Sequence, residues 1–356
     1  VGEDLKTLRM CKSNGFVLLI TLALITVLLA LTFSLHRSGI RAYVRSSLSG
    51  KRAILHAMAE SGIRLGMAIL IRDKTESEID SIQECWADGE CLKKHTEALA
   101  FDEGEVRLSI EDEQGKLQIN ALVTGQNGNQ FHPAGYAAWS RFLQDRAKNL
   151  QLDIDAEEIV DSLKDWMDAE DDDRITGAKG AESAYYMGLP HPYPCKNAAV
   201  DDIRELLRVR GISSELFYGK PDHPGMVSFI TACSEKLIPG RFGRININTA
   251  KPEILRLVLP ESREYLAEEM AAYRSARSAV SFVHDLSDPL WYKQVPGLAD
   301  VAIPVDWICL ASDLFTISTT ARIDAATVSI TARVLREKDP KSGGWGCRII
   351  TWESDR

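Results

Sequence analysis

The chain opens with a polar stretch, VGEDLKTLRMCKSNG, and then turns apolar without interruption from Phe16 to Leu35. Those twenty residues, FVLLITLALITVLLALTFSL, contain no charge, no Gly and no Pro. At 1.5 Å per residue they form a helix of about 30 Å, the thickness of a hydrocarbon core. From His36 to about Ile71 the pattern becomes one-sided. Ile40, Val44, Leu48, Leu55, Met58, Leu65 and Met67 recur at roughly helical spacing, and Pro is absent. Gly39, Gly50, Gly62 and Gly66 weaken this helix locally. The pattern predicts a helix that leaves a membrane and packs its lower half on a globular domain.

Strict alternation appears at Val106, Leu108 and Ile110, and again at Leu117, Ile119 and Ala121. With Gln114-Gly115 between the two runs, this predicts a β-hairpin. In the C-terminal third, LFTISTTARI, TVSITARVL and CRIITW are β-branched and alternating, with a turn expected at Gly343-Gly344. Between these strands, from about Gly125 to Pro304, helical patterns dominate: AGYAAWSRFLQDRAKNL, AEEIVDSLKDWM, VDDIRELLRV, KPEILRLVL and REYLAEEMAAYRSA. The expected class is α+β, an αβ shell interrupted by a helical block. Trp139, Trp166 and Trp291 fall in helical patterns and are expected in the core.

Composition adds two limits. The 356 residues suggest about two domains, and 45% hydrophobic with 26% charged residues excludes global disorder. A net charge of −9 makes a poor general nucleic-acid binder, because duplex binding needs Lys and Arg to displace counterions. Local charge leaves the orientation of the apolar segment open. Lys6, Arg9 and Lys12 precede it, and Arg37, Arg41 and Arg45 follow it. A removed secretory signal fits poorly, because the apolar run exceeds ~7–15 residues and no A-x-A site follows. The sequence begins with Val and not Met, which leaves room for residues upstream.

Candidate chemistry is sparse. No Gly-x-Ser-x-Gly, His-Glu-x-x-His, P-loop or Gly-x-Gly-x-x-Gly is present. His191 and His284 are expected at the surface or in packing. The strongest local signal is the acidic run from Asp165 to Asp173, densest from Asp168 to Asp173, with Gly177, Gly180 and Glu182 following. Hard oxygen donors at alternating positions suit Ca²⁺. Asp168, Glu170 and Asp172 mimic the first three ligand positions of an EF-hand loop. The match ends there, with Asp173 where Gly is required and Lys179 where the bidentate Glu belongs. A different calcium loop and a plain solvated acidic loop both remain open. Beyond Cys11, six cysteines suggest disulfides in an exported domain. The expected pairs are Cys85 with Cys91, Cys195 with Cys233 and Cys309 with Cys347.

The stretch ININTAKPEILRLVLPESREYLAEEMAAYR resembles a helix-hairpin-helix module, with Asn248-Thr249 expected to cap a helix and Pro252 in its first turn. Its hairpin, Leu259-Pro260-Glu261-Ser262, lacks the glycines that would cradle a phosphate. DDIRELLRVRGISSELF has a similar helix, Gly211 turn, helix cast.

The order of basic leader, Gly15, Phe16 and apolar helix resembles a type IV prepilin signal, which implies cleavage between Gly15 and Phe16 by a membrane peptidase. Most pilins carry Glu at the fifth mature position, where this chain has Ile20. A subunit with nothing ahead of it has no amine to neutralise there, so Ile20 fits a filament tip. NGFVLLITLALITVLLA, EDEQGKLQIN, DSLKDWMDAEDDDR, AESAYYMGLPHPYPC, DDIRELLRVRGI and GRININTAKPEILRLVL follow one another in an order that resembles the minor pseudopilin K family of type II secretion. The resemblance implies a pilin-like fold, a long transmembrane helix on an antiparallel sheet, with a large all-α insertion of helix-hairpin-helix or SAM-like units. It divides the chain into a leader (1–15), a membrane helix (16–36), a pilin-like first part (37–124), the insertion (125–304) and a pilin-like second part (305–356). It implies no enzymatic activity and a structural Ca²⁺ in the insertion, with Asp168, Glu170, Asp171, Asp172, Asp173 and Glu182 the positional candidates. It further implies minor pseudopilins I and J, the inner-membrane secretion machinery and prepilin peptidase as partners, and no nucleic acid. Residence is expected as a single pass in the inner membrane with a periplasmic head. Two other readings compete: a membrane-anchored nucleic-acid-binding protein using helix-hairpin-helix units, and an anchored, calcium-stabilised periplasmic hydrolase.

Overall fold

The computed structural model describes residues 11–125, 128–169, 175–279 and 281–355. Helix α1 runs unbroken from Cys11 to Glu76, so the apolar segment and the one-sided segment form one rod. Two windows of this rod are long and apolar enough to cross a membrane, Gly15–Ala42 and Ser49–Glu76. The first is 0% buried and the second 44% buried, which identifies the second as a core helix.

Its partner is a four-stranded antiparallel sheet in the order β1 (Glu105–Asp112), β2 (Leu314–Ile323), β3 (Ala326–Lys338), β4 (Trp345–Ser354). Leu55, Met58, Ala59, Ile63 and Leu70 of α1 pack on Val106, Ile317, Ala321, Ile330 and Val334 of the sheet. The glycines that weaken α1 serve this contact. A Cβ on Gly62 would lie 2.8 Å from Thr319 Cγ2, and one on Gly66 2.9 Å from Ile317 Cγ2. The helix therefore lies closer to the sheet than any side chain would permit.

The expected hairpin at Val106–Val123 does not form. β1 pairs with β2, from Glu105↔Arg322 to Asp112↔Phe315, while Leu117–Gln118 pairs in parallel with Ile230–Thr231. The two alternating runs serve different cores: Val106 and Ile110 face α1, and Leu117, Ile119 and Leu122 belong to the helical core. Periodicity reports a strand but not its partner.

The helical block occupies the chain between β1 and β2. After a short α2 (Gly89–Glu97) beside β1, it contains α3 (Pro133–Leu150), α4 (Ala156–Met167), α5 (Ser183–Met187), α6 (Ser214–Tyr218), α7 (Pro252–Val258) and α8 (Ala267–Ser275). Trp139, Trp166 and Trp291 are buried in its core, as expected. Pro252 begins α7, but Asn248 does not cap it. Asn248 instead accepts from Trp291 Nε1 at 2.8 Å and donates to the Leu286 carbonyl at 3.3 Å. A buried indole N–H needs an acceptor, and that demand outweighs a cap available from water.

The block is joined to the sheet by a buried polar knot. Arg336, fully buried on β3, donates to Asp80 Oδ2 at 2.6 Å, to the Ser312 carbonyl at 2.8 Å and to the Leu70 carbonyl at 3.1 Å. Asp112 Oδ2 accepts from Ser312 Oγ (2.7 Å), Thr249 Oγ1 (2.6 Å) and Asn246 Nδ2 (3.0 Å). Since Arg336 meets the last turns of α1, the block is attached at the end of the rod opposite Phe16.

Of the three expected disulfides only Cys85–Cys91 forms, with Cα atoms 5.4 Å apart. The other two pairings are incorrect, and Cys195, Cys233, Cys309 and Cys347 are thiols. Cys195 lies 3.4 Å from the Asp165 carbonyl, and Cys233 lies 3.2 Å from Gln118 Oε1, in separate parts of the block. Cys309 lies on a two-residue strand paired with Ile245–Asn246, whereas Cys347 faces Met67 of α1.

Candidate metal centre and membrane segment

Helix α4 begins at Asp155, whose carboxylate caps the N–H groups of Glu157 and Glu158, and it presents Asp165 near its C-terminus. Asp168 terminates the helix in extended conformation. The chain returns through Thr176 and Gly180 to Glu182, the residue before α5. Asp165, Asp168 and Glu182 are all buried, and each offers an oxygen within 4.8 Å of the others. Thr176 N donates to both oxygens of Asp165, at 3.0 and 3.2 Å, and Lys164 Nζ lies 3.1 Å from Asp168 Oδ2. Burial raises the Asp165 carboxyl above its ordinary range, against the lowering effect of the Thr176 hydrogen bonds. Trp166, Tyr186 and Tyr193 form an aromatic wall beside it, Trp166 edge-on to Tyr186 at 5.3 Å.

Gly180 has a steric reason to be glycine. A Cβ there would fall 2.1 Å from Asp165 Oδ2, so the backbone can approach the carboxylates only without a side chain. Three hard oxygen donors converging on a cradle kept free of Cβ atoms fit a divalent cation of the Ca²⁺ or Mg²⁺ type. Of the expected ligands, Asp168 and Glu182 are brought together, while Glu170, Asp171, Asp172 and Asp173 lie outside the described residues. Asp165 was not among the expected ligands. Its signal was the i, i+3 spacing to Asp168, which places both at one helix end.

Two other groups of possible ligands are already committed. Cys85 and Cys91, near His95, form the disulfide. Asp73, Asp80 and Glu84 surround Arg336 and Lys74, and Glu84 also accepts from Trp86 Nε1 at 2.8 Å. His191 is exposed, and His284 stacks on Tyr273 with centroids 3.6 Å apart, so both take the packing or surface roles expected of them.

At the other end of the molecule, the Gly15-Phe16 junction lies inside α1. Phe16 is 66% exposed, Ile20 51% and Leu35 71%. Among the described residues nothing covers them, leaving an apolar surface of the kind that lipid or another subunit covers.

A long N-terminal helix, greasy at one end and laid along an antiparallel sheet at the other, is the architecture of pilin-type secretion subunits. Comparison with known proteins narrows the class. Residues 115–218 match the family described as type II secretion system (T2SS), protein K. A type II secretion system protein K from Aeromonas hydrophila is 26% identical over 263 residues, covering 70% of each chain. One from Pseudomonas aeruginosa is 27% identical over 203 residues, 55% of this chain and 53% of that one. One from Pectobacterium carotovorum is 35% identical over 118 residues, 33% of this chain and 34% of that one. The fold matches a chain of the GspK-GspI-GspJ complex of the enterotoxigenic Escherichia coli type 2 secretion system, with a TM-score of 0.60 and 17% identity over 88% of this chain and 99% of that one. The chain is thus similar to type II secretion system protein K over 70% of its length, and its N-terminal apolar helix is long enough to anchor it in a membrane.

Proposed function

We propose that this chain is the minor pseudopilin at the tip of a periplasmic pseudopilus, held in the inner membrane by Phe16–Leu35 until assembly. Prepilin peptidase removes residues 1–15, and minor pseudopilins I and J then cover the apolar surface that lipid covered before. Such burial is favourable by ~25 cal/mol per Å², so partner helices replace lipid only if they hide a similar area. The observation that carries the tip position is the placement of the helical block. It sits on the end of α1 opposite the apolar segment, where a further subunit would have to stack. Ile20 is consistent with this position, because a leading subunit has no neighbour ahead whose amine needs a carboxylate. An epitope placed on the exposed residues after α6 should label isolated pseudopili once, at one end. Label distributed along the filament would overturn the tip position, and an intact mass that retains residues 1–15 would overturn the processing.

The reading assigns Ca²⁺ to Asp165, Asp168 and Glu182, with residues 170–173 as further oxygen donors. The ion would supply positive charge to buried carboxylates and fasten the loop between α4 and α5. What supports this is the converging oxygen set and the Gly180 cradle.

A further inference from the structure

Arg37, Arg41 and Arg45 recur every four residues along α1, beginning two residues after the apolar run ends at Leu35. Four-residue spacing keeps them on one side of a helix. From Phe16 to Ala59 the sequence holds no Asp or Glu. Arg37 and Arg41 are exposed, and among the described residues the ion pairs of α1 begin at Lys51 with Asp324 and Glu60 with Arg64. The Arg37 guanidinium lies 5.0 Å from the centre of the Phe33 ring, which aims its charge back toward the apolar run.

Topology does not explain the stripe. The leader is basic as well, and cations on the side facing the globular domain oppose the orientation that the leader favours. Position suggests a different use. The polar layer on each face of a bilayer is roughly 5–7 Å deep. If Phe16–Leu35 fills the hydrocarbon, Arg37 leaves the helix about 3 Å beyond it, at headgroup level, and Arg41 about 9 Å beyond it, from where its long side chain can reach back to that level. Guanidinium groups suit this level, since they chelate phosphate oxygens in pairs while their stems lie against apolar chains.

We infer that Arg37 and Arg41 form a collar that binds the phosphates of anionic phospholipids in the leaflet facing the globular domain. The collar rests on the reading that Phe16–Leu35 spans the bilayer. It fixes the depth of the waiting subunit, and its contacts must break before the helix can enter a filament. The lipid is favoured over an acidic neighbouring stem because the stripe is continuous with the spanning segment.

The test reconstitutes the full chain and an R37Q/R41Q variant into vesicles of phosphatidylcholine alone or with phosphatidylglycerol. Lipid retained after detergent extraction is counted by native mass spectrometry. The wild type should retain phosphatidylglycerol over phosphatidylcholine by about fivefold per arginine, and the variant should lose that preference. Equal retention of both lipids by the wild type, or an unchanged preference in the variant, overturns the collar. So does a variant that keeps the preference but no longer co-purifies with neighbouring pseudopilins, since the stripe would then serve protein. Carbonate extraction from pure phosphatidylcholine vesicles separates the two readings. Resistance in both proteins upholds the span whatever the collar does, and release of both removes the span and the collar with it.

Discussion

Two clusters of carboxylates, one at the joint between α1 and β3 and one within the helical block, are built differently. Around Asp73, Asp80 and Glu84 the fold supplies its own cations, Arg336 at the centre and Lys74 at 3.7 Å from Asp80. Around Asp165, Asp168 and Glu182 a lysine, Lys164, meets Asp168 at 3.1 Å, and Gly180 lets the backbone approach Asp165. The first cluster joins three parts of the chain: the end of α1, the residues after it, and β3. The second closes a loop within the block. A joint between distant segments is made permanent by a covalently attached charge.

The largest expected effect breaks the first cluster. Arg336→Met leaves buried Asp80 with only Lys74, at 3.7 Å, and removes its direct hydrogen-bonded partner, which should cost about 3–5 kcal/mol in urea unfolding. Adding Asp80→Leu should restore most of that loss. A single variant as stable as wild type would show that the arginine is not the keystone of the joint.

The second cluster should respond to an ion where the first does not. Ca²⁺ at a hundredfold excess over its dissociation constant should stabilise the chain by about 2.7 kcal/mol and raise the melting temperature by about 5–10 °C. Chelation should reverse this, and Asp165→Asn or Gly180→Ala should abolish the response. A melting temperature indifferent to both Ca²⁺ and chelator would erase the contrast between the clusters.

A pH dependence is also expected at the joint. Burial and the neighbouring Glu84 and Asp80 push Asp73 up to about 7, and burial pushes Asp112 up to about 6. The folded state therefore holds protons that the unfolded chain, with ordinary values near 3.8, has released. Their contribution is fully present below about pH 4 and is lost as pH rises toward 7, by at most ~1.4 kcal/mol per unit for each group. Asp73→Asn should flatten that decline, so its stability relative to wild type improves from pH 5 to pH 7.5. Parallel stability curves for the two proteins would assign the decline to other groups.

The sequence revealed what local pattern governs and missed what depends on partners from elsewhere in the chain. Phe16–Leu35 and the three C-terminal strands were legible because one physical period runs through each of them. The Cys85–Cys91 bridge was legible because a separation of six residues keeps the two close in any fold. The other cysteines belong to separate packing environments that spacing does not encode. The hairpin failed for a similar reason, since Leu117 alternates as a strand should but pairs with Ile230. Asn248 and Thr249 looked like helix caps, and the structure uses them to satisfy Trp291 and Asp112. At the candidate metal centre the acidic run drew attention to Asp168, whereas Asp165 is recognised only once the helix end and Glu182 are seen together.

Gly62 and Gly66 have a mechanical consequence. With no side chain between rod and sheet, α1 and the strands slide or tilt only as one piece, and the knot at Arg336 ties the helical block to the same piece. Any thrust applied at the lipid-facing end is therefore delivered, over a shaft of 66 residues, to the far crown of the molecule with little slack.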